Sequence, residues 1–177
     1  GVPAISMRGA EAGIVANGPF GRGVVQRVVP ERLRDLLDRG VVPVVAGFQA
    51  ARADGETITL GRGGSDVTAV HLGAAIGADS VHLVKDVDGI FDCDPHQCAD
   101  ARLLSVMGYD ELEGLVLAGA EIVHVDAVRL ARDRRVRLRI YGFDSPLRGD
   151  CGTIVDCDSA EDNVDSRELL SVGGHHD

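Results

Sequence analysis

Two short segments hold the residues best suited to chemistry. The first, L-G-R-G-G-S-D at 60–66, packs three glycines, a guanidinium, a hydroxyl and a carboxylate into seven positions. Glycine lets a backbone approach a ligand closely and take positive φ. A helix-like run follows, so its first amides and the positive end of its dipole face the same space. Arg62 adds a planar donor fork matched to a carboxylate or a phosphate. The segment is an anion site by construction. A helix cap alone would need only Ser65 or Asp66, and would explain neither Arg62 nor the glycines. The pattern is neither the P-loop nor G-x-G-x-x-G. The second segment, K-D-V-D-G-I-F-D-C-D-P at 85–95, is rich in Asp, Gly and Pro. Those residues also build tight turns, so by themselves they leave a turn and a ligand contact equally open.

The elements around these segments alternate between strand and helix. Residues 13–25 read as two short strands around a Gly/Asn/Pro turn, and 30–40 as a helix with Pro30 in its first turn and Gly40 at its stop. The β-branched run 41–48 has the signature of a strand buried on both faces. A small-residue helix is expected over 67–78, beginning near Ser65 or Asp66, and a second buried strand from 80 that breaks at Asp88-Gly89. Helices are expected from Tyr109 and over 123–135, and strands over 136–143 and 152–155. Alternation of this kind means an α/β fold with a mostly parallel sheet and helices on both faces. Ligands in such folds bind beyond the carboxyl ends of strands, and both segments sit just after one.

Composition narrows the function classes. The 177 residues suit one domain with a real core, and a hydrophobic fraction of 45% argues against disorder. With 28 acids against 18 bases the net charge is −10, which argues against a nucleic-acid partner. Only one base, Lys85, is a lysine, which restricts any mechanism that needs one. No apolar run of spanning length and no signal peptide is present, so neither a membrane nor secretion is expected. Cys93, Cys98, Cys151 and Cys157 match no common zinc spacing and read as reduced thiols of a cytoplasmic protein. No metal site is expected; the terminal pair His175–His176 could bind one, but reads as a frayed end.

The segments E-R-L-R-D-L-L-D-R-G-V-V-P-V-V-A-G-F-Q-A (31–50), G-E-T-I-T-L-G-R-G-G-S-D (55–66) and K-D-V-D-G-I-F-D-C-D-P resemble aspartate kinase, of the amino-acid kinase family, in order and spacing. Weaker matches at 1–15 and 151–155 extend the resemblance over roughly 1–156, leaving an acidic, flexible tail at 157–177. The L-G-R-G-G-S-D motif is specific to aspartate kinases, whereas D-V-D-G-I-F-x-x-D-P is shared with uridylate kinases. The resemblance implies an α/β/α sandwich, here incomplete, and ATP-dependent phosphorylation of the aspartate β-carboxylate with Mg²⁺, in amino-acid biosynthesis. It implies that Gly47, Phe48, Arg62, Gly63, Gly64 and Ser65 bind the amino acid, and that Arg62 and Asp66 are catalytic, Asp66 organising the family's lysines. It places Asp86, Phe91 and Asp94 at the nucleotide, with Lys85, His96 and Glu121 in the same site.

Four departures accompany the match. The family's K-[FY]-G-G-[TS]-S loop has no counterpart in the sequence, so a complementing N-terminal segment or partner is expected to supply it. In G-A-E-I-V-H-V, Glu121 and Val125 stand where the family has a phosphate-binding lysine and a proline. Phosphoryl transfer depends on neutralising developing charge, and Glu for Lys changes the local charge by two units in the wrong direction, unless Glu121 turns to solvent. His96 replaces an arginine and is a weaker phosphate donor at neutral pH. Lys85 replaces a threonine and either compensates for Glu121 or reaches solvent. No ACT domains follow Val155, so feedback through them is not expected. Three readings stay open: an aspartate-kinase-type enzyme, a non-catalytic nucleotide- or amino-acid-binding subunit of another kinase, and an offshoot acting on another acidic substrate. A sheet without the family's first strands should leave an exposed edge or face, so a homo- or hetero-oligomer is expected.

Overall fold

The computed structural model describes residues 1–93, 98–145 and 152–157. Asp94, His96, Cys151, the acidic tail from 158 and the terminal histidines lie outside the described residues. The chain divides into two compact units, Gly1–Val81 with Val123–Val136, and His82–Ile122 with the chain from Arg137.

The first unit opens with β1 (Ala4–Met7), the antiparallel pair β2 (Ile14–Asn17) and β3 (Val24–Val28), and α1 (Glu31–Asp38). The expected hairpin and helix are therefore present, with Pro30 as the cap residue just ahead of α1. Leu33 and Leu36, three positions apart on one helical face, go into a core with Met7, Ile14, Ile58 and Leu60. β4 (Val42–Val45) pairs in parallel with β1, while β5 (Gln49–Ala51) pairs in parallel with β2 and antiparallel with β6 (Thr57–Thr59). The order of the larger sheet is β3-β2-β5-β6. After β6 come α2 (Gly64–Ile76) and, later in the chain, α4 (Val125–Arg134), which pack on each other.

The β-branched run at 41–48 is not buried on both faces. Val42 and Val44 are 44% and 55% exposed, while Val45 packs against the core. Among the described residues β1 is the only strand paired with β4, and α1 covers one side. Half of the apolar run therefore faces outward. The second strand expected to be buried, β7 (Val81–Lys85), corrects in the same way: Val81 and Leu83 are buried, but Val84 is 50% exposed. Its residues alternate in and out, as in a strand with one covered face.

The second unit holds a sheet ordered β7-β9-β10-β8, with β8 (Val106–Met107), β9 (Leu138–Gly142) and β10 (Thr153–Val155). β8 pairs in parallel with β10, and β9 antiparallel. α3 (Tyr109–Leu117) starts at the residue the sequence indicated. Its core is built from Ile90, Met107, Leu112, Leu138, Ile140 and Val155, each at most 2% exposed.

Candidate functional site

The glycine-rich loop sits where β6 ends and α2 begins. The cap residue of α2 is Gly63, at φ 69, so neither Ser65 nor Asp66 serves as the cap. Glycine is required at 63 on two counts: φ is left-handed, and a Cβ would overlap the His124 imidazole. The helix starts earlier than expected, at Gly64, which brings the first-turn amides directly into the loop.

Four contacts organise the residues around this helix end. Phe48 holds φ 67, a region costly for a residue with a bulky side chain. Such strain persists only where the surroundings fix it, and it concentrates at functional sites. The surroundings here are explicit. The Phe48 amide donates to Thr68 Oγ1 at 3.2 Å, and the Phe48 carbonyl accepts from the Leu60 amide at 2.9 Å. Gly64 lies under the Phe48 ring, where an added Cβ would come within 2.7 Å of Cδ2, and Gly47 lies against Ser65, with 3.5 Å from an added Cβ to its Cα. Gly47, Phe48, Gly64 and Ser65 are thus brought together.

Asp66 takes a different direction. Its Oδ2 accepts from the backbone amide of His124 at 3.2 Å, which ties the start of α2 to the start of α4. His124 also caps α4, its Nδ1 accepting from the Asp126 amide at 3.3 Å. Arg62 is exposed and lines a cavity of about 420 Å³, together with Arg22, His71, Asp126 and Leu130. Burial, with Arg134 nearby, pushes the His71 imidazole below its ordinary value, so it is neutral at physiological pH.

Thr68 and His124 are the positioning residues that the sequence did not single out. Thr68 is 3% exposed, and its hydroxyl donates to the Gly64 carbonyl at 2.6 Å while accepting from Phe48. Nothing about a threonine in a small-residue helix marks it in advance. His124 stood inside the quoted G-A-E-I-V-H-V, one turn of chain from Glu121.

The turn at 86–91 follows β7 and is held by a second threonine. Thr153, fully buried, accepts from the Ile90 amide at 2.8 Å and donates to the Leu104 carbonyl at 2.7 Å. Gly89 sits at φ 147, where a Cβ would come within 2.7 Å of Leu103 and 3.0 Å of Thr153 Oγ1. Phe91 is half-buried and bridges to Leu103, and the Leu104 amide donates to the Ile90 carbonyl at 2.8 Å. The Arg102 amide, donating to Asp92 Oδ1 at 2.8 Å, holds the Asp92 carboxyl below its ordinary value. Lys85 is half-buried and its carbonyl accepts from Phe143, while Asp86 is exposed. Glu121 is exposed in the connection between α3 and α4.

Cys93, Cys98 and Cys157 are thiols rather than disulfides, and the Cys98 thiol beside it helps push Cys93 up to about 12. Among the described residues no helix is long and apolar enough to cross a membrane, and no cluster of three His, Cys, Asp or Glu could hold a metal.

The profile of the amino acid kinase family matches residues 1–142. The aspartokinase of Thermus thermophilus is 41% identical over 140 residues, covering 79% of this chain and 35% of that protein. The aspartokinase of Mycolicibacterium smegmatis is 38% identical over 180 residues, covering 100% of this chain and 41% of that protein. Among solved structures, Escherichia coli aspartokinase III in complex with aspartate and ADP superposes with a TM-score of 0.77, at 28% identity, over 88% of this chain and 35% of that one. The aspartate kinase of Synechocystis gives a TM-score of 0.69 at 35% identity, over 88% of this chain and 24% of that one. The chain thus spans 35% and 41% of those two aspartokinases. With the family's profile running from the first strand through β9, and with this α/β arrangement shared by aspartate kinases, the chain belongs to the amino acid kinase family.

Proposed function

We propose that this chain carries the amino-acid-binding loop and the nucleotide-binding turn of an ATP-dependent kinase that phosphorylates the β-carboxylate of aspartate. Because the chain spans about two fifths of its relatives' length, the property proposed for the chain itself is ligand binding. Transfer would require the rest of such a protein, in the same chain or in a partner.

The observation that carries this reading is Phe48, held at φ 67 against Gly64 at the start of α2. Strain of this kind is maintained at a cost, and beside it lie Ser65 and the first-turn amides of α2, while Arg62, exposed on the neighbouring cavity, carries a guanidinium that suits a carboxylate. Arg62, Ser65 and the glycines would bind the amino acid, with Gly47 and Phe48 walling it, and Asp66 would act through its bond to His124 by fixing the helix end. Lys85, Asp86 and Phe91 would meet the nucleotide. Magnesium ordinarily arrives on the nucleotide phosphates with one or two carboxylates completing its shell, and exposed Asp86 and Asp88 suit that demand.

Calorimetric titration of the purified chain with Mg-ATP and then with L-aspartate tests the proposal. Saturable heat for both is the expected result; no heat for either at millimolar ligand would sink it.

Glu121 favours a second reading, a non-catalytic binding subunit. It stands exposed at the position where the resemblance puts a phosphate-binding lysine. Glu121→Lys separates the two. A kinase part with an altered phosphate contact should bind Mg-ATP about tenfold tighter after the change, since a new charge-assisted bond contributes about 1.5–3 kcal/mol. Unchanged affinity would favour the binding subunit. If glutamate or another acid outcompetes aspartate, the chain serves another acidic substrate.

A further inference from the structure

Just past the turn at 86–91 lie two thiols that the proposed function does not use. Cys93 and Cys98 are five positions apart and both half-buried. Their meeting has a backbone cause. Phe91 bridges antiparallel to Leu103, and the Asp92 amide donates to the Arg102 carbonyl at 3.0 Å. The Arg102 amide returns a bond to Asp92 Oδ1 at 2.8 Å, so residues 91–92 and 102–103 are zipped together. On the far side the Ala101 amide donates to the Cys98 carbonyl at 3.2 Å, closing a turn that folds Cys98 back toward the zipped pair. Cys93 is the next residue out from that pair. The two thiols are thereby brought into hydrogen-bond contact, with the Asp92 carboxylate against Cys93 as well.

Two thiols in contact can fill a core, share a metal or form a disulfide. Neither side chain belongs to the buried core of its unit. Among the described residues no group of three His, Cys, Asp or Glu is placed to hold a metal. What remains is reversible oxidation. Contact between the sulfurs removes the main geometric obstacle to a disulfide, and partial exposure admits a small oxidant. The surroundings also divide the roles. The Cys98 thiol, burial and the Asp92 carboxylate keep the proton on Cys93, pushing it up to about 12. Cys93 is therefore the donor within the pair, and Cys98 is the sulfur that attacks first. In a reducing compartment a disulfide of this kind is transient, and it acts as a sensor rather than a staple.

We propose that Cys93 and Cys98 form a redox modification site, a dithiol that a small disulfide such as oxidised glutathione converts to an intramolecular disulfide, and that the bond lowers the affinity of the adjacent turn for nucleotide. In the first step the Cys98 thiolate attacks one glutathione sulfur, forming a mixed disulfide and expelling a glutathione thiolate, which takes up the Cys98 proton. Cys93 then loses its proton and attacks the Cys98 sulfur, the protein S–S bond forms, and the second glutathione leaves carrying that proton. Two protein thiols are oxidised and one glutathione disulfide is reduced to two thiols. The coupling to nucleotide rests on the reading of 86–91 as the nucleotide turn; the modification site does not. The mechanical link is short. Turning a contact into a covalent bond moves Cys93, and the two residues before it are Asp92 and Phe91, the latter a proposed nucleotide contact.

The test treats the whole chain with oxidised glutathione, blocks the remaining thiols with an alkylating agent and maps the peptides. Trypsin leaves both cysteines on residues 86–102, while Cys151 and Cys157 fall on 149–167. The expected result is an unalkylated 86–102 peptide, lighter by the two hydrogens removed and restored by dithiothreitol. Cys93→Ser should instead keep a glutathione adduct on Cys98, because the second thiol is gone, and Cys98→Ser should collect much less on Cys93. Mg-ATP titrated into the reduced and the oxidised wild type should show a loss of about fivefold or more on oxidation, the scale of one lost contact. The Cys93→Ser/Cys98→Ser double variant should show none. A wild-type 86–102 peptide that stays alkylated, or that carries only glutathione adducts, overturns the site. A disulfide that forms while Mg-ATP affinity stays the same overturns the coupling and leaves the nucleotide reading standing. If the reduced chain binds no Mg-ATP, the nucleotide reading fails and the coupling with it, while the peptide map still decides the site.

Discussion

The loop at 61–66 and the turn at 86–91 each follow a strand, and each is held by a buried threonine that accepts an amide and donates to a carbonyl. The two threonines nevertheless do different work. Thr68 donates within its own helix, to Gly64 four residues back, and reaches outside only to accept from Phe48. Thr153 joins two segments that no helix connects, Ile90 and Leu104. The loop is therefore built around a helix end with strained backbone beside it, while the turn is a pinned piece of chain. The strained helix end is the feature on which the proposed amino-acid site rests; the pinned turn is explained by folding alone, so its proposed ligand role leans on the resemblance.

The sharpest way to break the comparison is at the two glycines. Gly63→Ala imposes a left-handed φ on alanine and drives a Cβ into the His124 ring, so a loss on the order of 2–4 kcal/mol is expected in denaturant unfolding. Gly89→Ala meets the flexible end of Leu103 first, at 2.7 Å, and should cost about 1–3 kcal/mol. A larger loss at 89 than at 63 would reverse the account of which region is the more constrained.

The threonines come next. Thr153→Val leaves the Ile90 amide and the Leu104 carbonyl without the hydroxyl and should cost about 1–3 kcal/mol. Thr68→Val should cost less, about 1 kcal/mol, because only the Phe48 amide loses its acceptor. Its larger effect should be on aspartate affinity, through release of Phe48. Equal stability losses with no change in affinity would show that the two hydroxyls do the same job.

Phe48→Gly sharpens the point about strain. Relief of the φ 67 conformation offsets the lost ring contact, so stability should stay within about 1 kcal/mol of the wild type while aspartate binding falls. A clear loss of stability would mean that Phe48 is simply core.

The smallest effect is in pH. His71 resists protonation in the folded chain, so as pH falls through its ordinary value of 6.5 the unfolded chain takes up a proton that the folded chain does not. Stability should decline below that pH, and His71→Asn should flatten the decline between pH 7 and 5. In the other unit, burial alone would raise the Asp156 carboxyl, but Arg137 and the Cys157 amide and thiol hold it below its ordinary 3.8. That contribution is present above 3.8 and is lost only as pH falls below it, so Asp156→Asn should leave the pH 7 to 5 slope unchanged.

The sequence made the periodic elements legible: α1, α3 and α4 and the β2–β3 hairpin lie where the apolar spacing and the turn residues put them. It did not reveal β1, of four residues, or β8, of two, because so short a run carries no periodicity of its own. It misjudged β4 and β7 because a run of β-branched residues does not say how many faces are covered; Val42, Val44 and Val84 face outward. At the site, the three glycines and Arg62 were readable from the motif; the structure gives Gly63 and Gly64 a steric requirement, whereas a Cβ at Gly61 would meet open space. Thr68 and His124 were not readable, because what brings them to the loop is tertiary: a hydroxyl that holds the Phe48 amide, and two helices tied by the His124 amide and Asp66.

The central claim is that the 61–66 loop binds an acidic amino acid through Arg62. Titration of L-aspartate into the wild-type chain and into Arg62→Gln tests it most directly. The account predicts saturable binding that the substitution weakens about 10- to 100-fold, the value of a charge-assisted bond to a carboxylate. Wild-type binding that Arg62→Gln leaves unaltered, or no binding in either, would contradict it.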